Sequence, residues 1–382
     1  MKSRVLIVGG GVASLEAALA LRDLAGERTS VTIFSPRPDF VYRPYAVGEP
    51  YGAARVARYE LRELAPRCGA DFRPDSVISV DPDARLVTTY DGDTCAYDYL
   101  ILAQGAKLLW PVPGASTFWG IADEHDVDRV LGRFRSGESR RLAFTMPGTE
   151  SWPLPMYELA LLADTELRRK GSTDAELTIV TPEESPLEIF GRRAGELAAG
   201  LLAERRIEVV TRTHPVRFEE GHLRTVPERS LEFDSVVSLP RLEGRRIRGV
   251  LHDAEGFIRI DDHCRVLNRE RLFAAGDVTS FPVKQGGIAT QQADVIAETI
   301  AADLGVDLDP QRFDPVLRGV LWTGEKPCYL EGWIGGGHGE TSSFTAEAPW
   351  GSSEGKIVGR YLTPFFAELG AQPESVASRS AS

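Results

Sequence analysis

Cysteine is scarce in this chain. Only Cys68, Cys95, Cys264 and Cys328 occur, and no two stand in a CxxC or other close spacing. A redox dithiol and a clustered zinc site are therefore not legible. His263 precedes Cys264, but neighbouring strand residues point to opposite faces, so the pair reads as structural and no metal is expected. So little cysteine suits a reducing compartment. Basic residues are also in the minority. Lys and Arg number 44 against 56 Asp and Glu, a net charge of −12. Nucleic-acid binding needs a basic face for phosphates, so no nucleic-acid partner is expected. The short clusters Arg140–Arg141, Arg192–Arg193 and Arg245–Arg248 lie among acids and read as solvated surface. Long apolar runs are missing too. None approaches the roughly 20 residues of a bilayer span. The N-terminal apolar run, Val5–Val8, ends at glycines with Glu16 close behind, too short for a signal peptide. The expected location is cytoplasmic.

What is present is an ordinary globular composition, with 42% hydrophobic and 26% charged residues among 382. That length suffices for two or three domains. The opening "RVLIVGGGVASLEAALALRDL" reads as buried strand, tight turn and helix. Val5–Val8 is continuously apolar, as a central parallel strand is. Gly9 and Gly11 take the first two places of the G-x-G-x-x-G pattern. The first makes the turn; the second lets backbone approach a pyrophosphate at a helix N-terminus. Ser14 holds the third place, which loosens strand–helix packing without removing the anion site. The next strand, Val31–Phe34, ends where an acid for ribose hydroxyls is expected. Ser35, Pro36 and Arg37 stand there instead. Arg37 meeting a 2′-phosphate is one reading. Ser35 on a plain ribose, with Arg37 near the adenine or at the surface, is the other.

Two later segments bear on this choice. "YDYLILAQGAK", residues 97–107, is a strand ending in a small-residue turn at Ala103–Gly105. "RLFAAGDV", residues 271–278, is a strand ending at Gly276–Asp277, and "KQGGIATQQADVIAETIAADLG" then opens a helix at Gly287 or just after. With "FSPRPDFVYRP", "PMYELAL", "VKQGG" and "GKIVGRYLTPFF", these elements resemble the two-dinucleotide flavoprotein (pyridine nucleotide-disulfide oxidoreductase) superfamily. The resemblance covers roughly residues 3–365. It is strongest to the sulfide:quinone oxidoreductase and flavocytochrome c sulfide dehydrogenase branch, with type II NADH dehydrogenases more distant.

The resemblance implies an α/β fold of two Rossmann-like three-layer domains and a small C-terminal α+β segment. The FAD domain would be discontinuous, 1–112 and 242–308, with a NAD(P)-like domain inserted at 113–241. Residues 309–370 would form the C-terminal part and 371–382 a disordered tail. "VPGAS" at 112–116 and "SLPRLEG" at 238–244 look like the crossing linkers. The cofactor would be non-covalent FAD. Ala103 and Gly105 would return the chain to it, with Gln104 in place of the usual Thr. Asp277 would bind the ribityl chain. Gln285 and Gly286 would precede a helix whose N-terminal partial charge stabilises negative charge on the reduced flavin. Lys107 and Lys356 are further candidate flavin-side cations.

The chain departs from this branch in two places. The branch carries sulfur on cysteines beside the flavin, and in this chain Ala122, Trp152 and Gly319 fall in those registers. Without a thiolate nucleophile, sulfide oxidation by that route is not expected. The second departure is "FTMPGTESWPLPMYELA", residues 144–160, where a second phosphate turn belongs. Gly148 is its lone glycine, and Trp152, Pro153 and Pro155 stand where a pyrophosphate needs small residues and free N–H groups. After the following strand come Glu183 and Glu184, acids suited to an NADH ribose. Conventional nicotinamide binding and a degenerate domain that only shapes a pocket over the flavin both remain open.

Glu158 lies in the register of a glutamate that relatives hold near flavin N5. It is either a proton relay with a raised pKa or an exposed first-turn acid favoured by the helix dipole. Trp152 is either a wall over the flavin ring or an ordinary buried tryptophan. Near the C-terminus, "PCYLEGWIGGGHGETSSF" reads as strand, glycine turn and strand, with His338 structural or at the surface. Tyr361, Leu362, Phe365, Phe366 and Leu369 form an aromatic-rich cluster. It either packs on the core or a homodimer partner, or makes peripheral membrane contact. The expected protein is an FAD-dependent oxidoreductase passing two electrons from NAD(P)H or a small reductant to a quinone or another acceptor. The alternative is a non-enzymatic FAD-binding subunit or redox sensor.

Overall fold

The computed structural model describes residues 2–118, 124–171, 174–333, 342–345 and 355–369. Val5–Val8 is apolar throughout because its strand, Ser3–Val8, is the middle strand of a five-stranded sheet. The neighbours are Thr29–Phe34 and Ala70–Arg73 on one side, Tyr99–Leu102 and Leu272–Ala274 on the other. All four pairings are parallel. One face is covered by the helices Val12–Leu24 and Gly286–Asp303, which pack on each other. Over the other lies the antiparallel meander Val77–Asp81, Leu86–Thr89 and Thr94–Ala96, which contributes Val80 and Val87.

A second five-stranded parallel sheet runs Ser116–Thr117, Ser235–Ser238, Arg141–Thr145, Glu176–Val180, Glu208–Val210. Helix Glu124–Ser136 packs on it through Val127, Val130, Leu131 and Phe134, an i, i+3, i+4, i+7 stripe. Helix Leu154–Arg169 is buried well beyond the one face its pattern marks, with Leu161, Leu162 and Thr165 enclosed as well. A three-stranded antiparallel sheet, residues 214–232, covers the far face. The molecule is thus α/β with two Rossmann-like units.

Next to the expected linkers, Ala106–Leu109 precedes 112–116 and pairs antiparallel with Arg241–Gly244, the end of 238–244, as a two-stranded ladder. The C-terminal part is a three-stranded antiparallel sheet, Val316–Leu321, Cys328–Trp333 and Ser342–Thr345, followed by the short helix Leu362–Glu368. Leu362, Phe365 and Phe366 are buried in the first unit, and Phe366 stacks on Phe40 at 5.5 Å and meets Tyr59 at 5.2 Å. These side chains pack on the core and are not displayed to a membrane. No helix among the described residues is long and apolar enough to cross one. Ala122, His338 and the 371–382 tail lie outside the described residues.

Candidate flavin site

The C-terminal ends of the first sheet's strands open into a cavity of about 660 Å³. Gly9, Gly11, Ser35, Arg37, Ala103, Gly105, Asp277, Gln285 and Gly286 all line it. Its turn is built by sterics. Gly9 has φ +128°, and a Cβ there would lie 2.2 Å from the Ala103 carbonyl oxygen. The two strand ends are also tied, since Gly9 N–H donates to Phe34 O at 2.8 Å and Ala103 N–H to Val8 O at 2.7 Å. Gly11 is the N-cap of the first helix in ordinary extended backbone, and a Cβ there would meet nothing within 4 Å. The turn therefore offers bare backbone and open space at a helix N-terminus, which fits a dinucleotide pyrophosphate.

Two expected residues are not in the cavity. Ser14 is wholly buried in the first helix and does not reach it. Lys107 is largely exposed on the Ala106–Leu109 strand, beside Glu243 at 3.8 Å, because the ladder turns it outward. Ser35 lines the cavity, but its hydroxyl closes its own turn. It donates to Arg37 O at 3.0 Å and accepts from Arg37 N–H at 3.2 Å. Gln285 caps the Gly286–Asp303 helix by accepting Ile288 N–H at 3.0 Å, so that helix starts one residue earlier than its sequence suggested.

Sequence reasoning missed several cations. Arg43 and Lys284 line the cavity together with Asp277, and both act on its charge. Burial raises the Asp277 carboxyl, and these two cations oppose the rise. Burial pushes Lys284 down to about 8, with Asp277 opposing, and its ammonium sits 3.8 Å from the Phe257 ring centroid. Arg245 and Arg246 are exposed, as read from the sequence, and they also line the cavity. Both residues missed entirely, Arg43 in "VYRP" and Lys284 in "VKQGG", lay inside segments that carried the resemblance. A lone loop cation has no periodicity to mark its direction.

At the other side of the cavity, helix Leu154–Arg169 presents Glu158, which is 1% exposed. Lys356 Nζ donates to Glu158 Oε1 at 2.5 Å, and the Trp322 backbone N–H donates to the same oxygen at 2.8 Å. The Lys356 ammonium also lies 4.2 Å from the Trp322 ring centroid. Burial raises the Glu158 carboxyl, and Lys356 and the Trp322 amide oppose it. Burial likewise lowers the Lys356 ammonium, against the pull of Glu158. The pair is net neutral whichever partner holds the proton. An exposed first-turn acid is ruled out.

At the second nucleotide turn a Cβ on Gly148 would lie 2.1 Å from Oε2 of the exposed Glu150, so an acid side chain lies over the lone glycine. Trp152 lines the flavin-side cavity and meets Phe190 edge-on at 5.5 Å. Glu183 does not await a ribose. It is 2% exposed and accepts from Tyr157 OH at 2.5 Å and Thr181 Oγ1 at 2.9 Å, and burial pushes its carboxyl up to about 7.

Trp152 and Gly319, which stand in registers where the resembled branch carries sulfur, both line the cavity. Cys264 is not on a strand as expected. It sits in a turn with φ +59°, is buried, and burial raises its thiol. Cys328 is half-buried on its strand.

A glycine turn at the head of a parallel sheet, an acid at the last strand's end and a capped helix facing one cavity define a class. The protein is an FAD-dependent oxidoreductase of the two-dinucleotide-domain kind. The chain belongs to the pyridine nucleotide-disulphide oxidoreductase family, which matches residues 3–137 and 158–295. The stretch between, 138–157, holds the altered second turn. The chain is similar to a sulfide-quinone reductase of Aquifex aeolicus, 26% identical over 354 residues, covering 84% of this chain and 80% of that one. It is also 26% identical over 349 residues to the ferredoxin reductase component of a chlorobenzene dioxygenase from a Cupriavidus species, covering 85% and 78%. In three dimensions the sulfide:quinone oxidoreductase of Aquifex aeolicus superposes with a TM-score of 0.78 at 22% identity, over 90% of this chain and 86% of that one. Putidaredoxin reductase, in its covalent complex with putidaredoxin, gives 0.64 at 18% identity over 87% and 82%.

Proposed function

We propose that this oxidoreductase takes two electrons from a small reductant admitted to the cavity and passes them to a quinone or comparable acceptor, with Glu158 and Lys356 handling the proton. The observation that carries this reading is the buried 2.5 Å contact between Lys356 Nζ and Glu158 Oε1 in the same cavity as the glycine turn. FAD, when bound, supplies the two-electron chemistry. Gly9 and Gly11 give it backbone room, with Ala103, Gly105, Gln285 and Gly286 around it. Asp277 faces its polar chain, with Arg43 and Lys284 in the same cavity. Arg37 and Arg245 set a positive field at the nucleotide end. Glu158 and Lys356 hold a proton between Oε1 and Nζ, in a site dry enough for either to give it up. Trp152 excludes water from that end. We assign residues 1–112 and 242–308 to the FAD domain and 113–241 to the inserted one.

A nicotinamide donor is disfavoured because an acid lies over the second turn's lone glycine and Glu183 is engaged by Tyr157, although Glu184 stays exposed beside Arg212. Cavity-side thiol chemistry is disfavoured at Trp152 and Gly319. The test is anaerobic reduction of the holo-protein, read as loss of flavin absorbance. Small reductants should bleach it while NADH and NADPH do not. Rapid bleaching by NADH would refute the donor assignment. No bleaching by any donor would refute the enzyme and leave an FAD-binding subunit or sensor.

A further inference from the structure

The first helix carries an acid at a fully enclosed position. Glu16 is 0% exposed, within a run of buried residues from Ala13 to Leu21. A carboxylate buried this way costs several kcal/mol unless donors meet it. Its donors come from the far end of the chain. Tyr361 N–H reaches Oε1 at 2.9 Å and Leu362 N–H reaches Oε2 at 2.7 Å. The approach needs a glycine, because a Cβ at Gly359 would lie 2.7 Å from Oε2. Asp294, on the Gly286–Asp303 helix, shares the site. Burial raises both carboxyls, and the adjacent Glu16 pushes Asp294 up further, while the Tyr361 and Leu362 amides hold Glu16 toward its charged form. Arg360, which pairs with Glu298 at 2.9 Å, adds a cation nearby.

The segment that Glu16 anchors is the one that delivers Lys356. Residues 355–362 run from the cavity to the short C-terminal helix. Ile357 N–H donates to Tyr42 OH at 3.0 Å, and Thr290 Oγ1 donates to Val358 O at 2.8 Å. Glu16 is the charged anchor at one end of this strap, and the Lys356–Glu158 pair stands at the other.

We propose that Glu16 is a positioning residue for the flavin site: by accepting the Tyr361 and Leu362 amides it fixes the strap, and the strap holds Lys356 Nζ against Glu158. This rests on the reading of Glu158 and Lys356 given above. The physics supplies a sign that separates positioning from plain charge. Losing the Lys356 cation leaves the Glu158 carboxylate unpaired and disfavours a negatively charged reduced flavin, so the midpoint potential falls at pH high enough to keep Glu158 ionised. Losing the negative charge of Glu16 by itself would act the other way and raise it.

The experiment is a redox titration of holo-protein, over a range of pH, for wild type, Lys356→Met, Glu16→Ala and the double variant. Lys356→Met should lower the potential where Glu158 stays ionised. Glu16→Ala should also lower it while keeping FAD, and adding it to Lys356→Met should shift the potential no further, as coupled positions do. An unchanged or raised potential in Glu16→Ala, with only the melting temperature reduced, overturns the positioning role. So does a full additional drop in the double variant. A potential unshifted in Lys356→Met at every pH tested overturns the underlying site reading, and Glu16's role falls with it. Where Glu16→Ala does not fold, Gly359→Ala displaces the strap from its other side with Glu16 intact, and the same comparison with Lys356→Met decides.

Discussion

Two glycines of one turn should fail in opposite ways when each gains a methyl group. At Gly9 the added Cβ would sit 2.2 Å from the Ala103 carbonyl oxygen, in backbone with φ +128°. The neighbour is main chain of an adjacent strand and cannot swing aside. Strain of the backbone costs about 1–3 kcal/mol and overpacking about as much again. Against a typical stability of about 5–15 kcal/mol, Gly9→Ala should lower the melting temperature of the FAD-free protein sharply or prevent folding. At Gly11 the backbone is extended, with φ −100°, and the added Cβ touches no protein atom within 4 Å. Gly11→Ala should cost the fold less than about 1 kcal/mol, the scale of a weakened N-cap. Its methyl group instead projects into the space left for the pyrophosphate. Losing one hydrogen bond to a charged group removes about 1.5–3 kcal/mol, or about tenfold to a few hundredfold in Kd. The assay pairs melting curves of FAD-free protein with flavin titration. Wild-type FAD affinity in Gly11→Ala would place the pyrophosphate elsewhere. An unchanged melting temperature in Gly9→Ala would break the steric account of the turn.

Glu158→Gln should retain FAD, slow turnover by about 10²–10⁴-fold and lose one limb of the pH profile; a wild-type rate and profile would remove Glu158 from proton handling. Glu183, with its carboxyl pushed up to about 7 by burial, binds its proton more tightly folded than unfolded. Its contribution to stability is therefore full below the ordinary carboxylate pKa of 4.5 and is lost as pH rises through about 7. Relative to wild type, Glu183→Gln should gain stability between about pH 5 and about pH 8.5, by about 3 kcal/mol at most, and a pH-independent gap in urea unfolding would refute this. Cys264→Ser and Cys328→Ser should each leave turnover largely intact, since neither thiol lines the cavity; loss of electron transfer with FAD still bound would overturn that assignment.

The first nucleotide turn was legible because its cause is local. Gly9 is required by a carbonyl one strand over, Gly11 leaves its space open two residues on, and a parallel strand's apolar run marks where the turn begins. The reacting side was legible only as a choice. Glu158 could be placed near the start of its helix, but its cation stands 198 residues later, and separation on that scale leaves no periodic trace. Lys107 was misplaced, and the cavity role of the exposed Arg245 missed, for one reason: direction. The Ala106–Leu109 and Arg241–Gly244 strands pair with each other, which turns Lys107 toward Glu243 and leads the chain on to bring Arg245 to the cavity. Charge neighbours in sequence carry no information about such a ladder.

The altered second turn and the buried ion pair belong to one element. Pro153 and Pro155 start the Leu154–Arg169 helix without needing free N–H groups, with Glu150 over Gly148 and Trp152 against Phe190 just before it. Successive residues of a helix point about 100° apart. Tyr157 therefore faces back to the second sheet and holds Glu183, while Glu158 faces the flavin-side cavity and meets Lys356. Within a nicotinamide-binding domain this helix end would be given to a pyrophosphate. Here its first turns are committed to two buried carboxyl groups instead. One helix therefore ties the altered second turn to the buried pair at the flavin-side cavity, since adjacent residues Tyr157 and Glu158 serve one each.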